Sequence, residues 1–334
     1  MNVLHQLVQK ENLSQHDAKN LLLDMMTGKF SDIQIAGMLI ALKMRGEITD
    51  EIFGFIQALR ENMISVDLPD AMDVCGTGGD GKQTFNISTA VAFVVAGAGV
   101  KVAKHGNRAA SSCCGSADVL EALGVRISLK TEQAENVFKK VGMVFLFAPL
   151  FHPQYKNVSV VRKELGVSTI FNYLGPFISP ARVKRQLIGV SNIEVAEKLA
   201  HVAIKLGYER LFIVTGDEEM DEISLSGKTT LFEVSGKEML KTDIYPKLLG
   251  FEQTTEESLR GGDAKANAAI MQEVLSGKKS PKRDIVILNS AFALLAAGKV
   301  KRVEDGISLA EESINSGSSL QVLKNLIKET KKYA

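Results

Sequence analysis

Three short stretches gather the side chains that could do chemistry, and each follows a run that reads as a β-strand. The first is Met72-Asp-Val-Cys-Gly-Thr-Gly-Gly-Asp-Gly-Lys-Gln-Thr-Phe-Asn-Ile-Ser-Thr-Ala90. It sets Gly76, Gly78 and Gly79 close together, then offers Asp80, Thr84, Asn86, Ser88 and Thr89 ahead of an apolar helix beginning near Ala90. Glycines let the backbone turn and approach a ligand with no Cβ in the way. A helix N-terminus adds unpaired N–H groups and partial positive charge, a setting suited to phosphate. By itself such a stretch is an anion cradle or a plain strand-to-helix turn in about equal measure. The second stretch, Lys104-His-Gly-Asn-Arg-Ala-Ala-Ser-Ser112, combines two cations, an imidazole, an amide and two hydroxyls. Lys104 could meet phosphate as a point charge and Arg108 as a two-pronged donor, whereas His105 reads better as a pocket-lining histidine than as a base. The third, Gly216-Asp-Glu-Glu-Met-Asp-Glu222, lets Asp221 and Glu222 converge on a hard cation, a site that the Ser88 hydroxyl could complete.

Positioning these stretches requires elements of two kinds. Ala18, Leu21, Leu22 and Met25 fall at helical spacing after a Ser14–Asp17 capping pattern. Ile35, Met38, Leu39 and Leu42 repeat the stripe after a Ser31 cap, and Ile52, Phe55, Ile56 and Leu59 repeat it after Thr49. These predict three helices forming a small module through about Met63, with Val66 to Asp70 as linker. From Met72 strands and helices alternate. Strands are expected at Met72–Cys75, Lys101–Lys104, Val125–Leu129, Met143–Phe147, Leu187–Val190 and Leu211–Thr215. Helices are expected at Thr89–Ala98, Ala117–Leu123 capped by Ser116, Glu132–Val141 capped by Thr131, Asn157–Leu165, Ile193–Leu206, Asp263–Leu275, Ile285–Ala297 and from Ser308. Leu225–Val234, broken at Gly227-Lys228, reads as a hairpin-like excursion, and Asn172–Pro176 as a turn. The fold class is α/β: a small all-helical domain plus a larger domain with a mostly parallel central sheet. In such sheets ligands gather beyond the C-terminal strand ends, where all three stretches lie.

Composition narrows the function. The 334 residues carry 40 basic and 39 acidic side chains, a net charge of +1, so no global field draws nucleic acid or an anionic membrane. A polyanionic substrate would have to be neutralised locally. The early charges Lys10, Glu11, Asp17 and Lys19 interrupt any leader-like apolar core, and the apolar runs at Ala90–Val100 and Ile285–Gly298 are too short to span a bilayer. A cytoplasmic location is expected. Cys75, Cys113 and Cys114 form no C-x-x-C pair and read as reduced, small, buried residues. There is no nucleophile with a paired base and no zinc set. Arg162, on a helix, could pair on the surface near Glu164 or bind a carboxylate; His152 before Pro153 reads as a turn residue.

Taken in order, Cys75-Gly-Thr-Gly-Gly-Asp80, Asn86-Ile-Ser-Thr89, Lys104-His-Gly-Asn-Arg108 and Gly115-Ser-Ala-Asp-Val-Leu-Glu121 resemble the anthranilate phosphoribosyltransferase family. The resemblance continues through Arg162-Lys-Glu-Leu-Gly166, Asn172-Tyr-Leu-Gly-Pro176, Asp221-Glu222 and Gly261-Gly-Asp-Ala-Lys-Ala-Asn267, and it covers the chain from the helical start to Asn289. It implies transfer of a phosphoribosyl group to the amine of anthranilate, in tryptophan synthesis, by a homodimer joined through its helical domains. It implies a helical domain of residues 1–66 joined by 167–182, and an α/β domain of residues 70–334. By the same resemblance Gly76, Gly79, Asp80, Thr84, Asn86, Ile87, Ser88, Thr89, Lys104, His105, Gly106, Asn107, Arg108, Ala109, Ala110, Ser111, Ser112 and Ser116 would bind phosphoribosyl pyrophosphate. Gly76, Asn107 and Arg162 would bind anthranilate, and Ser88, Asp221 and Glu222 would hold Mg²⁺, as two ions with the donor; no residue is implied as acid or base. Two departures stand out. Cys113-Cys114 replaces a larger residue followed by Ser, and Phe177-Ile-Ser-Pro180 replaces Leu-Thr-Asn-Pro. The alternatives are a pyrimidine nucleoside phosphorylase-like enzyme, which needs neither Arg162 nor the acidic pair, and a non-catalytic nucleic-acid-binding paralogue.

Overall fold

The computed structural model describes residues 3–109 and 113–333. Its first quarter is helical: Val3–Val8, Gln15–Met26, Asp32–Arg45 and Thr49–Asn62. The short opening helix was not anticipated, because Leu7 is its only buried residue and leaves no stripe to read. Ser14 and Ser31 cap as expected, each accepting from the backbone N–H three residues on. Thr49 is not a cap but the first helical residue. Ile48 holds the cap position, and its N–H donates to Glu51 Oε2 at 3.1 Å. The apolar stripes close into one hydrophobic cluster with Val158, Val161, Ile170, Phe171 and Phe177, from much later in the chain, and with the helix Ile193–Leu206. The N-terminal helices therefore rest partly on a mid-chain segment.

A second cluster surrounds a seven-stranded sheet. Its strands are β1 (Met72–Gly76), β2 (Val102–Gly106), β3 (Met143–Phe147), β4 (Arg185–Gly189), β5 (Arg210–Gly216), β6 (Thr229–Ser235) and β7 (Glu238–Ile244). Their spatial order is β3-β2-β1-β4-β5-β6-β7. The first five run parallel, and β6 and β7 are antiparallel additions at one edge. From β1 the chain moves outward through β2 and β3, then returns to lay β4 on the other side of β1. That reversal opens a crevice at the C-terminal ends of β1 and β4, the usual ligand position in such sheets. Gly76 and Gly189 are register partners there.

Several sequence expectations need correction. Residues 125–129 form no strand: Val125, Ile127 and Leu129 alternate because they are buried, without joining the sheet. The hairpin turns at Gly236-Lys237 rather than Gly227-Lys228, since Thr229 onward pairs with β5. Asn172–Pro176, read as a turn, lies in the short helix Phe171–Leu174 and the 3₁₀ segment Gly175–Ile178 that follows it. Ser116 and Thr131 start their helices instead of capping them; the cap positions are Gly115 and Lys130, whose N–H groups are taken by Asp118 and Gln133. Cys113 is exposed, Cys75 half-buried and only Cys114 buried, and all three are unpaired. Among the described residues no helix is long and apolar enough to cross a membrane.

Candidate active site

The glycine stretch leaves β1 and crosses the crevice. Thr77 N–H donates to the Gly189 carbonyl at 2.9 Å, which ties the loop to β4. Gly78 and Gly79 follow at φ +70° and +77°, values that penalise any side chain and bend the chain back toward the sheet. A Cβ on Gly76 would overlap the Asp221 carboxylate, and one on Gly189 would overlap the Asp221 carbonyl. The acidic loop after β5 is thus seated directly on these two glycines. Asp221 Oδ2 accepts the Gly78 N–H at 2.6 Å, and Glu222 Oε1 accepts the Ser88 N–H at 3.1 Å. The helix starts at Ile87, two residues earlier than expected, so Ser88 and Thr89 lie in its first turn. The amides suited to phosphate are here occupied by the two carboxylates suited to a cation: cradle and acidic pair are one site.

Its electrostatics are those of crowded anions in a dry place. Asp221 and Glu222 are each 8% exposed. Burial raises the Asp221 carboxyl, helped by the neighbouring Asp80 charge. Burial also raises Glu222, with Asp221 next and Lys104 opposing. Asp80 Oδ1 accepts the Lys82 N–H at 3.1 Å, while its buried Oδ2 has no hydrogen-bond partner. Lys104 is 2% exposed; its Nζ donates to the Val74 carbonyl at 2.6 Å and lies 3.3 Å from Ser88 Oγ. Among the described residues no three His, Cys, Asp or Glu side chains form a metal cage by themselves. Two raised carboxylates and an orphaned third oxygen nevertheless fit a divalent cation that takes its remaining oxygens from a phosphorylated ligand.

The second stretch is divided by its own strand. Lys104, His105 and Gly106 belong to β2, so Lys104 and His105 face opposite sides of the sheet. Gly106 has no room for a Cβ, which would strike Ser116 Oγ and the Phe145 ring. Beyond it, the Asn107 carbonyl accepts from the Ala117 N–H at 3.2 Å and Ser116 Oγ at 3.4 Å. Arg108 is half exposed, pairs with Asp118 at 3.0 Å and Glu121 at 2.6 Å, and lies over the Phe147 ring. Asp118 also accepts from the N–H groups of Ala109 and Gly115. Ala110, Ser111 and Ser112 lie outside the described residues. Asn86 joins the two loops, donating to the Cys114 carbonyl at 3.0 Å and accepting from Asn267 Nδ2 at 3.0 Å. Thr84 bridges to Arg260, and Ile87 and Thr89 are buried, leaving mainly backbone to offer.

Arg162 belongs to a different cluster. It does not pair near Glu164: its Nη1 donates to Tyr155 Oη, its Nη2 reaches Asn172 Oδ1 at 3.4 Å, and the guanidinium lies over the Tyr155 and Phe171 rings. Burial pushes the Tyr155 hydroxyl up to about 12. The rings of His105, in β2, and His152 lie 5.4 Å apart, tilted by 54°. Burial drives His105 down to about 3, with His152 next among the causes, and drives His152 down to about 4, so both rings are neutral. Among the described residues no hydrogen bond joins Arg162 to the glycine loop.

Sequence reading quoted Asp118, Asn267 and Asn289 without giving them a role, and passed over Tyr155 and Gly189. Asn267, 2% exposed, bridges Gly262 and Asn86; Asn289, fully buried, holds the backbone of Ile223 beside the acidic pair. A lone amide inside the apolar run from Ile285 was the available signal for Asn289.

Comparison with known proteins follows the same two-part division. Residues 1–63 match the helical bundle domain of a glycosyl transferase family, and residues 68–320 match its α/β domain. The anthranilate phosphoribosyltransferase of Geotalea daltonii is 44% identical over 336 residues, covering 96% of each chain. That of Thermomicrobium roseum is 46% identical over 331 residues, covering 97% of this chain and 95% of its own. The crystal structure of anthranilate phosphoribosyltransferase from Thermus thermophilus superposes with a TM-score of 0.92 at 36% identity, over 99% of this chain and all of that one. The Saccharomyces cerevisiae enzyme, in complex with phosphoribosyl pyrophosphate and Mg, gives 0.90 at 31% identity, over 99% and 98%.

Proposed function

The chain belongs to the anthranilate phosphoribosyltransferase family, and on that premise we propose how its two clusters divide the substrates. The reaction moves the phosphoribosyl group of 5-phosphoribosyl 1-pyrophosphate to the amine of anthranilate, giving N-(5-phosphoribosyl)anthranilate and pyrophosphate. The glycine loop with Gly76, Gly79, Asp80 and Thr84, the helix start from Asn86 to Thr89, and the Lys104–Ser112 stretch with Ser116 take the donor. Arg162 takes the anthranilate carboxylate, with Gly76 and Asn107 between acceptor and donor. The observation that carries this reading is that Asp221 and Glu222 sit on the amides of Gly78 and Ser88 at the switch point of the sheet. The phosphorylated end of one substrate and the cation it brings can therefore share one floor.

The geometry suits displacement without a dedicated base. An arylamine is neutral at pH 7, so its lone pair is ready to attack; the C1–N bond forms as the C1–O bond to pyrophosphate breaks, with inversion at C1. The amine then sheds a proton, and no side chain is assigned as acid or base. Mg²⁺, when bound, neutralises charge on the leaving pyrophosphate. Asp221 and Glu222 would hold it with Ser88, and two ions per donor is our reading of a pair whose members face different amides. Lys104, fixed beneath Ser88, adds a positive charge below the cradle. At the other end, Tyr155 and Asn172 orient the Arg162 fork toward a carboxylate.

Two further assignments are ours. The chain divides into a helical domain of residues 1–66 with 167–182 and an α/β domain of residues 70–334. The enzyme is a homodimer joined through its helical domains, a reading supported by the outward Ile33 and Met44, 85% and 81% exposed; light scattering checks it. The relatives do not favour a nucleoside phosphorylase or a nucleic-acid-binding paralogue. The decisive experiment incubates purified protein with Mg²⁺, anthranilate and phosphoribosyl pyrophosphate and follows anthranilate fluorescence. Consumption of anthranilate with formation of its phosphoribosyl adduct is expected; phosphorolysis of a pyrimidine nucleoside in place of that reaction would overturn the reading.

A further inference from the structure

The acidic pair sits on a segment, Asp221 to Ser224, that belongs to no strand or helix, yet its residues are buried. Buried backbone groups outside regular structure need partners from other backbone, side chains or water. Here one residue does most of that. Asn289, fully buried within the helix Pro281–Ala296, accepts the Ile223 N–H through Oδ1 at 2.9 Å and donates through Nδ2 to the Ile223 carbonyl at 2.9 Å. The same Nδ2 lies 2.9 Å from the Ile285 carbonyl one turn back, which fixes the amide's orientation. Because the Ile223 N–H belongs to the peptide joining Glu222 to Ile223, the clamp sets the backbone angle that aims the Glu222 side chain. On the opposite side Gly76 and Gly189 leave only enough room for Asp221.

We propose that Asn289 is a positioning residue for divalent-cation binding, acting through Ile223 to hold the backbone that aims Asp221 and Glu222 at the glycine loop. The clamp does not touch substrate. This inference rests on the functional reading above, in which those carboxylates hold Mg²⁺. Groups that orient metal ligands change affinity for the ion, about 10- to 100-fold when lost. A residue that merely filled the core would lower stability and leave that affinity alone.

The test uses the full chain with Asn289→Ala, and Asn289→Gln, which keeps the amide but displaces it by one methylene, in case the alanine variant does not fold. Mn²⁺ binding is read from the free-ion EPR signal in the presence of phosphoribosyl pyrophosphate, below the melting temperature of each protein. Mg²⁺ half-saturation and the KM for anthranilate are read in turnover. Mn²⁺ affinity is expected to fall, and Mg²⁺ half-saturation to rise, about tenfold or more, with anthranilate KM changed less than twofold. A folded variant with lower melting temperature and unchanged Mn²⁺ affinity overturns the inference. Failure of the wild-type protein to form phosphoribosyl anthranilate would instead remove the functional reading itself.

Discussion

The two clusters that we propose as donor end and acceptor end are built on opposite physical plans. At the donor end, carboxylates, a lysine and glycines are packed so tightly that a Cβ at Gly76 or Gly189 has no space, and the carboxyls are pushed up by burial and by one another. At the acceptor end, one arginine lies over Tyr155 and Phe171, and its donors are already directed by Tyr155 and Asn172. The first end, so read, is complete only when a cation and a polyanion arrive together. The second, so read, is pre-organised for a flat aromatic acid. Frustrated charge selects the ligand that relieves it; aligned donors select the ligand that fits them.

That contrast can be broken most severely at the acidic pair. Replacing both Asp221 and Glu222 by Ala is expected to lower kcat at least roughly 10²-fold and to abolish the response to Mg²⁺, since charge on the leaving group then goes uncompensated. An unchanged Mg²⁺ titration would remove the cation from this site. A smaller and differently shaped loss is expected for Arg162→Ala: anthranilate KM should rise roughly ten- to hundredfold, in line with about 1.5–3 kcal/mol for hydrogen bonds to a charged group, while donor KM stays within twofold. If donor KM rose more than anthranilate KM, the two ends would have been assigned in reverse.

The smallest effect lies in stability, where the two ends should oppose one another. Asp221, raised to about 8, holds a proton in the folded protein that the unfolded chain has lost above about pH 4. Stability of the ligand-free protein should therefore fall as pH rises from about 4 to 8, and Asp221→Asn should flatten that decline. His105 and His152, lowered to about 3 and about 4, are neutral where the unfolded chain would protonate them below about 6.5. Their contribution rises with pH from about 3 to 6.5, so His152→Asn should ease the acid loss. Melting curves across this range check both slopes; equal slopes in wild type and variants would show the burial argument to be mistaken.

Much of the donor end was legible in order along the chain. Glycines, short polar side chains and a helix start carry their geometry locally, so Gly76 to Thr89 announces a turn that brings backbone toward an anion before any fold is known. The acidic loop was legible as a candidate cation site, although its contact with the same amides was not. The acceptor end was far less readable. Arg162 had two equal roles until Tyr155 and Asn172 were seen to enclose it, and Tyr155 carries no local mark of function. Residues 125–129 misled because burial produces the same alternation as sheet pairing. The hairpin was displaced because Gly227-Lys228 and Gly236-Lys237 give equivalent local turn signals, and only pairing with β5 separates them.

By itself, then, the sequence determined most of the alternation of strands and helices, the helical N-terminal region and the glycine turn that leads into a helix start, because these are properties of neighbouring residues. Tertiary structure alone decided what stood across the crevice. It seated Asp221 against Gly76 and Gly189 and placed Asn289 behind Ile223 through contacts between residues far apart in the chain, and it set Arg162 over the rings of Tyr155 and Phe171, seven and nine residues away. The strand order made those meetings possible, since laying β4 beside β1 brings the acidic loop to the glycine loop.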